Sequence, residues 1–436
     1  MTDSQAASDP TLAAAAAAAE LPPELEAQTL RQYFQNWVVR VRGGDAGVLP
    51  VVAALVLVLV AFSFLNPRFL IPYNLVNLFE QSAVFIVLAM AEGFVLLLGE
   101  IDLSVGYVAA IGGAVAAILV QPAYNCPWWL AVGAALGLCA AIGALQGTII
   151  TQLRLPSFVV TLAGYLSWYG LLLLFLGNSG QAPLTSDRID GQVFIHGIVG
   201  SSSDPTMAWI GLVVVVVIFG AVLWLRDSGR RRSGLVAPPV GLTVLKILLI
   251  ALAGFAVVYI CNMDRSFSAN PVVGMPWVIP LVIVVLLMWT VLLEQTWYGR
   301  HVYAVGGNPE AARRAGISVS RVRIIAFTLC SLTAGLGGIL YASWLGAMTT
   351  NINGGQYVLY AVAAAVIGGT SLFGGRGRVI HGLLGGLVIG AINNGMFMLG
   401  FQLQWQLIAT GLVLLAAVTI DALSRRSATS GVLTHA

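Results

Sequence analysis

Apolar runs of bilayer-spanning length recur along nearly the whole chain and restrict it to a membrane fold. A helix needs about 20 predominantly apolar residues to cross the hydrocarbon core. The runs predict twelve spans, near residues 48–65, 82–99, 104–121, 128–151, 157–177, 207–225, 243–260, 276–293, 323–343, 357–370, 380–398 and 405–421. About ten full spans plus half-helices is the alternative count. The runs are continuous rather than alternating, so they exclude a strand barrel. They predict an all-α, polytopic membrane protein of about 10–12 helices with broken or re-entrant segments.

Composition supports this class, because 58% of the residues are hydrophobic and only 9% are charged. A soluble domain of this length would carry far more charge. We expect residues 1–45 to form a disordered or loosely helical extension and residues 46–424 to form the transmembrane domain. That domain includes a basic loop at 295–323, and residues 425–436 are expected to form a tail. The first apolar run starts too late for a secretory signal.

The distribution of positive charge predicts that both termini are cytoplasmic, because lysine and arginine concentrate in cytoplasmic loops. If the twelve spans alternate from a cytoplasmic N-terminus, all of the 21 lysines and arginines lie inside except Arg68, Arg188 and Arg265. The formal net charge of +3 therefore reflects topology. It does not indicate a nucleic-acid partner.

The basic loop contains a well-delimited short helix. Asn308 is a good N-cap, Pro309 suits the first helical position and Glu310 suits the positive end of the helix dipole. Ala311 and Ala312 favour helix, and Gly316 can adopt the left-handed conformation that ends one. A rigid helix on a cytoplasmic face is typical of a docking element. The alternative is an ordinary connecting loop.

Two glycine-rich breaks interrupt the apolar runs, GEIDLSVG at 99–106 and GGTSLFGG at 368–375. Broken helices within a membrane commonly line binding or passage sites. Glu100 and Asp102 lie in the first break, where buried carboxylates are costly and usually functional. Asp102 is expected to cap the helix that begins near Ser104, to act in transport, or both. The predicted break or gating residues are Glu100, Asp102, Gly106, Gly368, Gly369, Gly374 and Gly375.

Aligning the two breaks pairs Gly99 with Gly368, Leu103 with Leu372 and Gly106 with Gly375. The flanking spans have the same parity, so both breaks are expected at the same membrane face. This pattern indicates a parallel internal repeat.

Polar and aromatic side chains inside the spans are candidates for a solute path. Aromatic faces beside amides and hydroxyls suit a sugar. The candidates are Tyr165, Trp168, Asn393 and Asn394. Tryptophan and tyrosine near span ends are also ordinary interfacial anchors.

Several chemistries lack their sequence signatures. The single lysine, Lys246, is not in a Walker A loop, so any ATP hydrolysis must come from a partner. The four cysteines and four histidines lack metal-ligand spacing, and no metal or cofactor is expected. Cys126 and Cys261 both fall in outer loops, where a disulfide and two free thiols are the alternatives.

Four motifs in this order and spacing resemble the permease subunits of bacterial ribose- and xylose-type ABC importers. They are GEIDLSVG at 99–106, LPSFVVTLAG at 155–164, YAVGGNPEAARRAGIS at 303–318 and VIGGTSLFGG at 366–375. Glu100, where ribose-type members tend to carry glycine, resembles the xylose branch. So does the extra apolar stretch of roughly 235–275.

The resemblance implies a non-catalytic subunit of the bacterial inner membrane that imports D-xylose or a related pentose. Its implied partners are cytoplasmic ATPase subunits, a periplasmic sugar-binding protein, a second permease copy and the lipid bilayer. The helix after Asn308 would be the coupling helix, with small exposed side chains at Ala311 and Ala312 and close backbone approach at Gly307 and Gly316. The implied coupling residues are Gly306, Gly307, Asn308, Pro309, Glu310, Ala311, Ala312, Gly316 and Ile317.

From the residues alone, two other classes stay open. A stand-alone, proton-coupled secondary transporter could use Glu92, Glu100 and Asp102 as proton carriers. An intramembrane enzyme is the other class, although the sequence has no HExxH motif or serine–histidine arrangement to support it.

Overall fold

The structure is a computed structural model that describes residues 47–187, 197–199, 202–234, 237–266 and 271–413, with isolated positions at 29, 31–33, 35, 38, 415 and 419. The predictions for the extension 1–45 and the tail 425–436 therefore lie outside the described residues, apart from those isolated positions. The chain divides into two compact units. The first is Met1–Gly47 with Pro205–Tyr259, and the second is Val48–Asp204 with Ile260–Ala436.

The described residues form thirteen α-helices, one short 3₁₀ helix at Gly177–Ser179 and two short strands, of which the α-helices and strands are numbered here. In chain order they are α1 Leu49–Leu65, α2 Pro72–Leu96, α3 Val105–Val120, α4 Trp128–Gln152, α5 Ser157–Leu176, β1 Gln181–Pro183, α6 Pro205–Arg232, α7 Val240–Asn262, α8 Val278–Gln295, α9 Trp297–Gly307, α10 Pro309–Arg314, α11 Val319–Leu345, β2 Ala347–Thr349, α12 Gly354–Gly368 and α13 Val379–Met398. Residues 403–413 are also helical.

Eight of the helices in the described part are long and apolar enough to cross a membrane, and α1, α3 and α12 are shorter apolar helices. This confirms the prediction of an all-α, polytopic fold. Eleven of the twelve predicted spans thus correspond to a helix, and the last, 405–421, extends beyond the described residues.

Helix α2 begins at Pro72, about three turns before the predicted start at residue 82. Polar residues concealed its first turns from the apolar pattern. Asn74, for example, is buried because its amide donates to the carbonyl of Phe69 and to Oδ1 of Asn394, at 2.9 Å each. A paired amide is tolerated inside a helix bundle, where an unpaired one would be costly.

The core of the second unit is built from α2, α3, α4, α11, α12 and α13. Helix α11 packs against α2, α3 and α4, while α2 also packs against α12 and α13. Glycines permit this close approach: a β-carbon at Gly338 would collide with the carbonyl oxygen of Ala109, and one at Gly385 with that of Ala364. Small residues at helix interfaces are the usual means of tight packing in membranes.

The loops after α5 and α11 are joined by an antiparallel pair of strands, β1 and β2. Ala182 lies opposite Met348, and both side chains are buried. In the first unit, α6 and α7 are held together by polar contacts. Thr243 donates to the Asp227 carboxylate at 2.8 Å, and the Arg231 guanidinium donates to the carbonyl of Pro238.

Candidate functional site

Helices α9 and α10 follow α8, and α10 has the limits that the sequence predicts. Asn308 is its N-cap: the side-chain oxygen accepts from the backbone N–H of Glu310 at 3.1 Å and of Ala311 at 3.0 Å. Pro309 occupies the first turn, and Gly316 has a φ of +84°. The N-cap at Asn308 and the left-handed stop at Gly316 are therefore confirmed.

One face of α10 is exposed and the other is held by the rest of the second unit. Glu310, Ala311, Arg313 and Arg314 are exposed, whereas Ala312 is only 4% exposed and belongs to the main apolar core. The expectation that Ala312 lies on the exposed face was wrong. A helix packed along one side buries about one residue per turn, and in this short helix that residue is Ala312.

Within the chain, an added β-carbon is blocked at Gly306 but not at Gly307 or Gly316. A β-carbon at Gly306 would collide with the carbonyl oxygen of Leu97, whereas at Gly307 and Gly316 it would meet no described atom within 4 Å. The backbone of α9 therefore rests directly on the segment that follows α2.

The two breaks follow helices that end in the same way. At Gly99 and Gly369, the glycine N–H donates to the carbonyl three residues earlier, and the next N–H donates to the carbonyl five residues before it. This is the Schellman motif, and the φ angles of +74° and +114° meet its need for a left-handed residue. Gly368 is the last residue of α12, so the predicted pairing of Gly99 with Gly368 was wrong by one position.

The predicted pairing of Gly106 with Gly375 was wrong as well. Gly106 lies inside α3, where a β-carbon would collide with the carbonyl of Gly354. Gly374 and Gly375 lie in the second break with φ angles of +79° and +71°. Gly106 therefore serves helix packing, whereas the later pair shapes a loop.

The two breaks and α9 contact one another. The N–H of Gly375 donates to the carbonyl of Leu97 at 2.9 Å, which joins the breaks directly. The hydroxyl of Tyr303, on α9, donates to the carbonyl of Gly377 at 2.9 Å. We call residues 97–102, 369–378 and 303–307 the break cluster. As predicted, both breaks lie at the same end of their helices.

Two ion pairs attach neighbouring helices to the break cluster. Nε of Arg323, near the start of α11, lies 2.7 Å from Oε1 of Glu100. Nε of Arg378 lies 2.8 Å from Oε1 of Glu294, at the end of α8. Burial raises the pKa of the Glu100 carboxyl above its usual range, and the Arg323 guanidinium opposes that rise.

Asp102 orders the turn before α3 without being its N-cap. The N-cap is Ser104, whose backbone N–H and hydroxyl both donate to Oδ1 of Asp102, at 2.9 Å and 2.6 Å. The backbone N–H of Asp102 donates to Oε1 of Glu92 at 3.0 Å. Both carboxylates are fully buried. The predicted capping role was thus placed two residues too early, although the carboxylate does hold the N-cap residue.

The four predicted path residues do not share one site. Tyr165 meets Tyr107 edge to face at 4.8 Å, and Trp168 lies near Gly164 on the same helix. Asn394 is buried against Asn74. Only Asn393 borders a described cavity, whose volume is about 120 Å³.

Sequence reasoning missed the partners of the residues that it found. Arg323 and Tyr303 were included only in the basic loop, and Glu294 was not singled out. Each of the three side chains nevertheless contacts the break cluster. Their separation in sequence, 223 residues between Glu100 and Arg323, leaves no local pattern to detect. Within the described part, no group of three or more His, Cys, Asp or Glu side chains could hold a metal ion. All four cysteines are free thiols.

Comparisons with known proteins agree with this architecture. The profile of the family described as branched-chain amino acid transport system / permease component matches residues 74–418. The xylose transport system permease protein XylH of Escherichia coli K12 is 32% identical over 382 residues, which cover 87% of this chain and 92% of that protein. The ribose import permease protein RbsC of the same organism is 32% identical over 392 residues, covering 90% and 96%.

The xylose permease protein XylH of Haemophilus influenzae is also 32% identical, over 357 residues that cover 81% of this chain and 90% of that protein. No solved structure matches the chain. The resemblance drawn from the four motifs is confirmed, and the chain belongs to the branched-chain amino acid transport system permease family.

Proposed function

We propose that the chain is the non-catalytic membrane subunit of an ATP-driven importer, and that it moves a monosaccharide, D-xylose or a related pentose, from the periplasm to the cytoplasm. The relatives named as xylose and ribose permeases support the sugar class. Partner ATPase subunits hydrolyse ATP, and a periplasmic binding protein delivers the sugar. Two copies of the chain form the path.

The proposed topology places the break cluster, α9 and α10 at the cytoplasmic face of a bacterial inner membrane. Exposed arginines gather on this side of the second unit, among them Arg313 and Arg314 on α10. Helix α2 ends at Leu96 and helix α12 ends at Gly368, each just before a break. Because the two breaks contact each other, both helix ends lie at this face. The positive-inside rule then assigns both termini to the cytoplasm.

The observation that carries the proposal is the continuous contact from the exposed face of α10 to both breaks. Helix α10 is anchored through Ala312, α9 rests on Leu97 through Gly306, and Leu97 binds Gly375 of the second break. A partner that moved α10 would therefore move both breaks together. Packed helices respond to such a push by hinge or shear motion, which suits a switch between outward and inward access.

The energy source provides the test. Uptake of radiolabelled D-xylose and D-ribose is measured in cells that carry the full operon, after the proton gradient is collapsed and, separately, after ATP is depleted. The proposal requires uptake to survive the first treatment and to stop with the second. The reverse result would reject it.

A proton-coupled transporter is the second candidate, and one observation favours it. Glu92 and Asp102 are both fully buried, and Oε2 of Glu92 has no hydrogen-bond partner among the described residues. Buried carboxylates in membrane helices commonly relay protons. The same uptake experiment separates the two candidates, because a proton relay stops when the gradient collapses.

The identity of the sugar needs its own measurement. The xylose and ribose relatives are equally identical to the chain at 32%. We favour xylose because Glu100 and the extra apolar stretch of roughly 235–275, which contains α7, resemble the xylose branch. Competition of unlabelled D-xylose, D-ribose and D-glucose against labelled D-xylose ranks them directly. Stronger competition by D-ribose than by D-xylose would reassign the substrate.

A further inference from the structure

A polar cavity lies within the second unit, remote from the break cluster. Its volume is about 120 Å³, well above the roughly 10–15 Å³ that a single water molecule needs. Its walls come from α2, α12, α13 and the helical residues 403–413, with Trp344 from the end of α11. Three of the helices that line the cavity, α2, α12 and α13, therefore also flank the breaks.

Amide side chains provide the polar part of the cavity. Gln81, Gln356, Asn393 and Gln406 all border it. The side-chain N–H groups of Gln356 and Asn393 both donate to the hydroxyl oxygen of Tyr360, at 2.5 Å and 3.2 Å. Among the described residues, no group donates to the amide oxygens of Gln356 and Asn393. Two acceptors and the proton of the Tyr360 hydroxyl are thus left for a ligand.

Aromatic rings provide the apolar part. The rings of Phe85 and Tyr357 stack with centroids 5.9 Å apart, and Phe85 meets Tyr360 edge to face at 5.3 Å. Trp344 completes this wall. None of the described lining residues carries a formal charge. A neutral solute that has both hydroxyl groups and C–H faces satisfies such a lining, because few polar groups orient it and the rings cover its apolar side.

The cavity lies between the middle of α2 and the ends of α12 and α13 that are opposite to the breaks. Gln81 precedes the end of α2 at Leu96 by 15 residues, about 22 Å along the helix axis. Gln356 lies in the first turn of α12, and Asn393 lies near the end of α13. A solute that arrives from the face opposite the break cluster meets the cavity first.

We propose that this cavity is a monosaccharide-binding site within the permease itself. The amides of Gln356 and Asn393 and the hydroxyl of Tyr360 bind sugar hydroxyls, and Phe85, Tyr357 and Trp344 cover the ring faces. The inference rests on the proposed import of a sugar. It adds selectivity for the sugar in the membrane subunit itself.

The test is direct sugar binding to the full-length permease in lipid nanodiscs, with radiolabelled D-xylose and D-ribose as probes. Wild-type protein should bind at least one of them saturably. Gln356→Leu and Asn393→Leu should each weaken that binding by about tenfold or more, because each removes one or two hydrogen bonds to the ligand. Tyr360→Phe removes only one hydroxyl and keeps the ring, so it tests the site with the least risk to folding.

Gln152→Leu is the matched control, because Gln152 is an exposed glutamine at the end of α4 and does not border the cavity. It should bind sugar like the wild type. Monodispersity and yield are measured for every variant, and ATP-dependent uptake is measured in parallel.

Saturable binding that is lost in all three cavity variants and kept in Gln152→Leu supports the proposal. Absent binding in the wild type, or unchanged binding in Tyr360→Phe and one well-folded leucine variant, overturns it. If ATP-dependent sugar uptake persists in that case, the importer function stands without the site. If the wild type takes up no sugar with ATP available, the proposed function itself fails.

Discussion

Glu100 and Arg323 show how a single charge pair can hold the first break against α11. The two side chains are 2.7 Å apart, with 10% of the Glu100 side chain and 31% of the Arg323 side chain exposed. If one partner is removed, the remaining charge is unpaired and has little access to water. If both are removed, no unpaired charge remains. The pair is therefore expected to fix the position of the break more than to add net stability.

Arg323→Met should destabilise the purified permease by about 1–3 kcal/mol, less than for a fully buried pair because Arg323 is partly exposed. Glu100→Gln combined with Arg323→Met should recover most of this loss. Thermal unfolding of the single and double variants in detergent measures both. Additive losses in the double variant would show that the two side chains do not interact.

The deficit of Arg323→Met should also shrink as the pH falls. Burial raises the pKa of Glu100, and removal of Arg323 takes away the interaction that opposes this rise. A carboxyl with a raised folded-state pKa destabilises the fold above its ordinary pKa of 4.5, and the penalty disappears below it as the group gains a proton. The unfolding difference from wild type is measured across pH 4.5–8. A deficit that grows towards low pH would contradict this account.

Asp102 tests whether charge or hydrogen bonding matters at the start of α3. Asp102→Asn should keep most of the uptake, because an amide oxygen can still accept from the backbone N–H and hydroxyl of Ser104. Asp102→Leu should reduce the amount of folded protein in the membrane, because the buried donors of Ser104 would then lack a hydrogen-bond acceptor. Abundance and uptake are measured together. A normally abundant Asp102→Asn protein with no uptake would establish a charge-dependent role, as the proton-coupled mechanism requires.

At the scale of elements, α10 has one exposed face, which is the proposed docking face, and packs its other face against the second unit. Ala311 is exposed, whereas Ala312 is buried in the core of the second unit. These adjacent alanines have the same size and helix propensity, so they form a matched pair. A bulky side chain at one should affect a partner, and at the other it should affect the permease itself.

Ala311→Trp should leave the permease at normal abundance but prevent co-purification of the ATPase and reduce sugar uptake at least tenfold, because the indole obstructs the docking face. Ala312→Trp should lower the abundance or thermal stability of the permease, as overpacking costs about 1–3 kcal/mol or more. Co-purification, abundance and uptake are compared side by side. Normal ATPase association in Ala311→Trp would show that α10 is a connector.

Sequence reasoning succeeded where a single element carries its own signals. The limits of α10 followed from Asn308 and Gly316, since capping depends on neighbouring residues. It failed where the structure depends on contacts between residues that are far apart in the sequence or on the exact end of a helix. The polar Asn74 in the first turns of α2 is paired with Asn394, 320 residues away, and the alignment of the breaks is set by which glycine follows the last helical turn. Neither leaves a local trace.

The same division applies to the candidate site. Glu100, Asp102 and the glycines of both breaks were found because charges and glycines are conspicuous in apolar runs. Gln81, Gln356 and Tyr360 were missed because isolated polar residues in helices look alike until the fold brings them together. Of the four predicted path residues, only Asn393 lines the cavity that Gln81, Gln356 and Tyr360 border.

For the whole molecule, the direction of insertion determines what each site can do. The break cluster lies at the C-terminal end of α2, whereas the cavity borders the middle of that helix, so the orientation decides from which side of the membrane a solute meets the cavity before the breaks. The proposed topology, which rests on the arginine distribution, places the cluster at the cytoplasmic face. A reversed orientation would place α10 out of reach of any ATPase.

Cysteine accessibility tests the orientation. Cys139, Cys261 and Cys330 are buried, and Cys126 is the one native cysteine that is not. Cys126→Ser therefore gives a background protein without an accessible thiol. Into it we place Ser320→Cys, an exposed position at the start of α11, or Gln181→Cys, an exposed position on β1. In intact spheroplasts, a membrane-impermeant thiol reagent should label Gln181→Cys and leave Ser320→Cys unlabelled. After permeabilisation both should react, which shows that Ser320→Cys was shielded by the membrane and not by the fold. Labelling of Ser320→Cys before permeabilisation would reverse the topology, and with it the assignment of α10 to an ATPase.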